Sequence, residues 1–170
     1  MAETFAGLGE FDDFEAYFAA LFGFFGNPST WEVDLEAPKL LEKLKKLGLK
    51  LGIISNFDAR LYRILSELGL AGYFDSVTIS SEAGFAKPNA AIFRTALTKH
   101  SVAAEDVLHV GDSIPLDVGG ANSAGVPVVL VEQARERAAD EENRRLDGLK
   151  IKARVGSLAE LVEIVTAELS

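Results

Sequence analysis

From Asp34 to the C-terminus, short apolar runs alternate with stretches of helical period, and this constrains the fold more than any other feature. Pro38 stands at a first-turn position, Leu40, Leu41, Leu44 and Leu47 form one face, and Gly48 stops the helix. The run from Leu49 to Ile54 then reads as a buried strand, and a helix over 59–68 ends at Gly69. A second strand is expected at Ser76-Val-Thr-Ile-Ser, after which Pro88 opens a helix that turns Ile92, Phe93, Ala96 and Leu97 inward. Asp106 to Val110 reads as a third strand, residues near 116–124 as a helix, and Val126 to Val131 as a fourth strand. Such alternation implies right-handed βαβ crossovers, hence an α/β fold whose parallel sheet is covered on both faces. Residues 132–147 are charge-rich and weakly patterned, which predicts a solvated helix or loop. Ile151 to Val155 reads as a short edge strand, and Ser157-Leu-Ala-Glu160 as a capping box that opens a last helix over 158–169.

The N-terminal part has a different composition. The first 25 residues hold seven of the eleven phenylalanines, and Phe11, Phe14, Phe18, Leu21, Phe22 and Phe25 recur at steps of three and four. That spacing predicts an amphipathic helix. Gly26-Asn-Pro-Ser breaks it, and beyond Trp31-Glu-Val the apolar residues become aliphatic, so a boundary is expected near Asp34, dividing the chain into 1–34 and 35–170.

Composition excludes several classes of function. At 170 residues the chain is long enough to bury a core without cross-links, and the absence of cysteine removes thiol nucleophiles and Cys-based zinc sites. A net charge of −9 argues against a nucleic-acid groove, which needs a Lys/Arg surface. No apolar run approaches the ~18 residues of a spanning helix, and the start Met1-Ala-Glu-Thr has no basic leader, so a soluble cytoplasmic protein is expected, without membrane contact. Neither Gly-x-Gly-x-x-Gly nor Gly-x-x-x-x-Gly-Lys-Ser/Thr follows any strand, which removes dinucleotide and P-loop sites. A receiver domain fails for want of an acidic pair before a phospho-acceptor strand.

Ligands of open parallel sheets bind at the carboxyl ends of the strands. The first strand exits into Ser55-Asn56-Phe57-Asp58, where a hydroxyl and an amide either meet an anion or cap the next helix. Lys87 directly precedes Pro88 at the next helix start; it is either a surface lysine or a point charge for a phosphoryl oxygen. The third strand leaves through Gly111-Asp112-Ser113-Ile-Pro-Leu-Asp117, whose two carboxylates either cap a helix or offer the oxygen ligands Mg²⁺ takes. Gly111 permits close backbone approach. His109, inside an apolar strand, reads as a core residue and His100 as a helix-end residue, neither of them catalytic.

The order and spacing of Ser55-Asn56, Lys87-Pro88 and Gly111-Asp112-Ser113-x-x-x-Asp117 resemble motifs II, III and IV of the haloacid dehalogenase-like (HAD) hydrolases. The resemblance covers roughly Trp31 to Val131; Asn56-Phe-Asp-Ala-Arg-Leu and Ala86-Lys-Pro-Asn-Ala-Ala-Ile-Phe look like the phosphatase branch, and residues 1–34 like the last part of a helical cap. Gly-Asp in the last motif favours Mg²⁺-dependent phosphatases over true dehalogenases. The resemblance implies a HAD-like Rossmannoid core acting on a small phosphorylated metabolite through an aspartyl-phosphate. Ser55 and Asn56 would bind the phosphoryl group, Lys87 would bind it and stabilise the nucleophile, and Asp112 and Asp117 would serve Mg²⁺, with Asn56 and Asp117 as supporting groups.

The family's opening strand, with Asp-x-Asp-x-Thr or Asp-x-Asp-x-Val, has no counterpart in this chain. Phe11-Asp12-Asp13-Phe14 lies in a helical pattern, Asp34 follows too short a run, and Asp58 reads as a helix-start residue. By the resemblance the absent strand belongs between the strand ending at Ser55 and the one ending at His109-Val110. Its loss leaves two edges open, to be closed by direct pairing, by a second copy or by a separate upstream segment. An inactive or incomplete hydrolase is therefore expected, or alternatively a non-catalytic binding or assembly module, with a homodimer formed through the Phe-rich helix.

Overall fold

The computed structural model describes residues 14–132 and 148–168 and divides the chain into two compact units, 1–32 and 33–170. In the larger unit the described elements run α2 (Ala37–Lys46), β1 (Gly52–Ser55), α3 (Arg60–Glu67), β2 (Ser76–Ile79), α4 (Ser80–Ala83), α5 (Ala90–His100), β3 (His109–Gly111), α6 (Gly119–Ser123), β4 (Val128–Val131), β5 (Ala153–Val155) and α7 (Leu158–Glu168). The smaller unit holds α1 (Phe14–Gly26) and a short 3₁₀ turn at Pro28–Thr30. Among the described residues every strand pair is parallel, β1 with β2, β3 with β4, and β4 with β5.

β4 shows how the sequence fixes the layers. Its unbroken apolar run suits a strand covered on both faces, and its alternate residues enter opposite cores. Val128 and Leu130 join Ile92, Phe93, Val118, Ala121 and Val126 on one side. Val129 joins Leu40, Leu44, Val155, Leu161 and Val162 on the other. The capping box forms as expected: Glu160 N–H donates to Ser157 Oγ at 3.4 Å, and its carboxylate accepts from Ser157 Oγ and Gly156 N–H, both at 3.1 Å.

The expected single sheet is in two pieces. Among the described residues β1 pairs only with β2, and β3 only with β4, so direct pairing of the two flanking strands does not occur. Side chains join the halves: Ile54 packs against the first core cluster, and Leu49 and Leu51 against the second beside Leu108 and Val110. Burial reflects the break, for β1 and β3 are half-buried or exposed along their length while Val128, Val129 and Leu130 are fully enclosed.

Other differences are local. β1 starts later than expected, and Leu51 before it is tied to the residue preceding β2, its N–H donating to Asp75 Oδ2 at 2.8 Å and its carbonyl accepting from Asp75 N–H at 2.7 Å. Ser80 opens α4 instead of ending β2, and Gly84 closes that helix at a φ of 75°. Residues 114–118 form one wide π-helical turn before α6, begun by Ser113, whose carbonyl accepts from both Asp117 N–H (2.7 Å) and Val118 N–H (3.2 Å). The expectation for 133–147 and the Phe11-Asp12-Asp13 motif lie outside the described residues.

In the smaller unit α1 carries one acidic residue, Glu15, and no basic residue in its last turn. Phe14, Phe18 and Phe22 follow one another at i,i+4 spacing, the first pair of rings stacked with centroids 6.3 Å apart and the second tilted at 5.9 Å. Asn27 caps the turn that follows, its side chain accepting from Ser29 N–H. Among the described residues no helix is long and apolar enough to cross a membrane.

Candidate active site

Side chains bring together the exits of β1, α4 and β3. Asn56, just past β1, clamps the backbone of Lys87: its Nδ2 donates to Lys87 O at 3.0 Å and its Oδ1 accepts from Lys87 N–H at 2.6 Å. The β2 exit is held to the same place by Ser80 Oγ, which donates to Phe57 O at 3.2 Å. Lys87 reaches across to the turn after β3, where its Nζ donates to Asp117 Oδ1 at 2.7 Å. Asn89 caps α5 behind it by accepting from Ala91 N–H.

Asp117 is the buried hub of this arrangement, 3% exposed. Besides the bond from Lys87, its Oδ1 lies 3.0 Å from His109 Nε2, and its Oδ2 accepts from Ser113 N–H at 3.1 Å. Burial pushes its pKa up, but the hydrogen bonds from His109 and Lys87, the lysine charge and the Ser113 N–H outweigh it. The carboxyl is held well below the ordinary range and stays ionised. Gly111 makes room for it, since a Cβ there would lie 2.3 Å from Asp117 Cγ. Gly120 does the same for the layer behind, where a Cβ would lie 2.5 Å from Phe93 Cε2.

The exits leave two polar groups open. Ser55 is half-buried at the end of β1, Asp112 is exposed beyond β3, and neither side chain bonds to another described residue. Asp58, by contrast, is taken up by Arg60, whose Nε and Nη2 donate to it at 2.8 and 2.7 Å while the guanidinium lies 5.5 Å from the Phe57 ring centroid. A hydroxyl, a lysine ammonium and an open carboxylate at the exits of these strands are suited to holding an anion by charge and positioning.

The model of the haloacid dehalogenase-like hydrolases matches residues 3–125, most of the chain. The chain belongs to the HAD-like hydrolases. It is 43% identical over 107 residues to haloacid dehalogenase-like hydrolase domain-containing protein 3 of Mus musculus, covering 63% of this chain and 43% of the relative. It is 33% identical over 123 residues to a glyceraldehyde 3-phosphate phosphatase of Methanothermobacter thermautotrophicus, covering 72% of this chain and 54% of the relative. Among solved structures it is similar to a HAD phosphatase from Thermococcus onnurineus, with a TM-score of 0.70, 28% identity, and coverage of 81% and 60% of the two chains. This HAD chain thus spans roughly half the length of the curated relatives it matches.

Within this HAD core, four of the five residues assigned from sequence, Ser55, Asn56, Lys87 and Asp117, lie in or beside one hydrogen-bonded assembly, and Asp112 flanks it in the open. Two of them differ from the roles assigned. Both polar atoms of the Asn56 amide are used on Lys87, and both oxygens of Asp117 already have donors. Consequently the described residues do not make up a magnesium site: Asp112 offers one free carboxylate, and no group of three or more His, Cys, Asp or Glu that could hold a metal occurs among them. Sequence reasoning missed His109. The signal for it was its place two residues before Gly111, which in a strand puts both on one face, the face where Asp117 fits.

Proposed function

We propose that this chain carries the phosphoryl-binding site of a HAD-like phosphatase for small phosphorylated metabolites. The observation that carries the reading is the Asn56–Lys87–Asp117 connection across the break between β1 and β3, which ties Lys87 by its backbone to the residue after Ser55 and by its ammonium to the turn after β3. Ser55 donates to a phosphoryl oxygen and Lys87 offsets its charge. Asn56 and Asp117 act by fixing Lys87, the first through its backbone and the second through its ammonium. Asp112 is the carboxylate open to a Mg²⁺ ion, as one ligand among others that the described residues do not supply. The phosphatase relative, at 33% identity, supports the substrate class.

Covalent transfer through an aspartyl-phosphate needs a nucleophilic Asp, and the Asp-x-Asp-x-Thr/Val motif is absent from this sequence. We infer that the chain alone binds phosphate and does not turn over, which also makes it serviceable as a non-catalytic binding module. The test is hydrolysis of an aryl phosphate by the purified chain, with and without Mg²⁺, beside an Asp112→Asn variant. The expected result is no turnover above the variant. Mg²⁺-dependent turnover that Asp112→Asn abolishes would show that another carboxylate or a water does the nucleophile's work.

A further inference from the structure

We propose that His109 is a positioning residue of the phosphoryl site, donating its Nε2–H to Asp117 so that the carboxylate keeps a fixed oxygen toward Lys87. The proposal rests on the phosphoryl-binding reading for its purpose, though not for its geometry. Asp117 accepts from the Lys87 ammonium on Oδ1 and from Ser113 N–H on Oδ2, so both its oxygens act as acceptors. At 3.0 Å from Oδ1, His109 Nε2 must therefore carry a proton. A bare nitrogen there would set lone pair against lone pair in a buried place, where the two side chains are 11% and 4% exposed.

The carboxylate is held at two points. Ser113 N–H fixes Oδ2 at 3.1 Å, His109 fixes Oδ1, and together they stop the group turning about its Cβ–Cγ bond. Lys87 Nζ then meets an oxygen whose position is already set, at 2.7 Å. His109 is itself restrained, by its place on β3 and by the ring of Phe93, which meets it edge-on with centroids 5.0 Å apart. A phenylalanine at this position would repeat that packing and supply no donor. Packing and positioning can therefore be separated by substitution.

The first experiment reads the imidazole nitrogens of His109 in the unaltered chain by ¹⁵N NMR. A proton on Nε2 is the expected result, and a bare Nε2 overturns the proposal. The second measures the rate at which acetic anhydride modifies Lys87, read by mass spectrometry, in the unaltered chain and in His109→Phe and His109→Gln. Loss of the donor in His109→Phe should raise the Lys87 rate roughly fivefold, the factor associated with one hydrogen bond. His109→Gln, whose amide can donate from a similar place, should return the rate toward that of the unaltered chain. An unchanged rate in a folded His109→Phe overturns the proposal, and if that variant fails to fold, the tautomer decides. Failure of inorganic phosphate to bind the unaltered chain would sink the phosphoryl reading while leaving both His109 results intact, so the two ideas can fail separately.

Discussion

At the scale of single residues, Gly111 sets how closely the buried hub can approach β3. A Cβ at this position would lie 2.3, 2.4 and 2.6 Å from the Cγ, Cβ and Oδ2 of Asp117, so any side chain must displace the carboxylate that holds Lys87. Gly111→Ala should cost about 1–3 kcal/mol, as overpacked buried sites do; urea unfolding measures it, and a neutral substitution would mean that Asp117 can move without loss. The Gly-Asp pair was legible in the sequence as a place of close approach, and so were Ser55, Lys87 and Asp112 as groups at strand exits. Less legible was the division of labour among them. Asn56 and Asp117 carry polar atoms that could serve a ligand, and only the fold shows that Lys87 occupies them first. His109 was read as core, which is half of the matter: one face of its ring packs on Phe93 while Nε2 faces a carboxylate eight residues on.

At the scale of elements, what could be read from sequence is what local pattern encodes. The apolar run of β4, the inward face of α5 with Ile92 and Phe93, and the Ser157–Glu160 capping box all report burial or period within a few neighbouring residues. Features fixed by distant partners were not legible. The tie on Leu51, just before β1, is made by Asp75, 24 residues away. The wide turn after β3 depends on one carbonyl, that of Ser113, accepting from two successive N–H groups, and no propensity announces that. The break between β1 and β3 is a matter of pairing: both strands read as apolar runs of a sheet, but among the described residues neither finds a ladder on its second edge. The site lies at the exits of these two strands, so side-chain contacts hold it together where backbone pairing does not.

At the scale of the whole molecule, an α/β core and an aromatic N-terminal unit share one acidic chain. A helix that is apolar over most of its surface is ordinarily covered by something. Phe24 and Phe25 on α1 remain 53% and 46% exposed. We propose that a second copy covers them, giving a dimer; light scattering should report twice the monomer mass, falling toward the monomer in Phe24→Ser/Phe25→Ser, and a monodisperse monomer of the unaltered chain would refute it. The net charge of −9 does not oppose phosphate binding at the site, because the local balance at Asp117 is set by the half-buried lysine beside it rather than by the surface.

The phosphoryl site at the joined strand exits is tested most directly by titrating inorganic phosphate into the ¹⁵N-labelled chain and following its amide resonances. Saturable shifts are predicted at Ser55, Asn56, Lys87 and the 111–113 turn, and they should disappear in Lys87→Ala. Absence of saturable shifts, or shifts confined to residues away from these exits, would contradict the site as described.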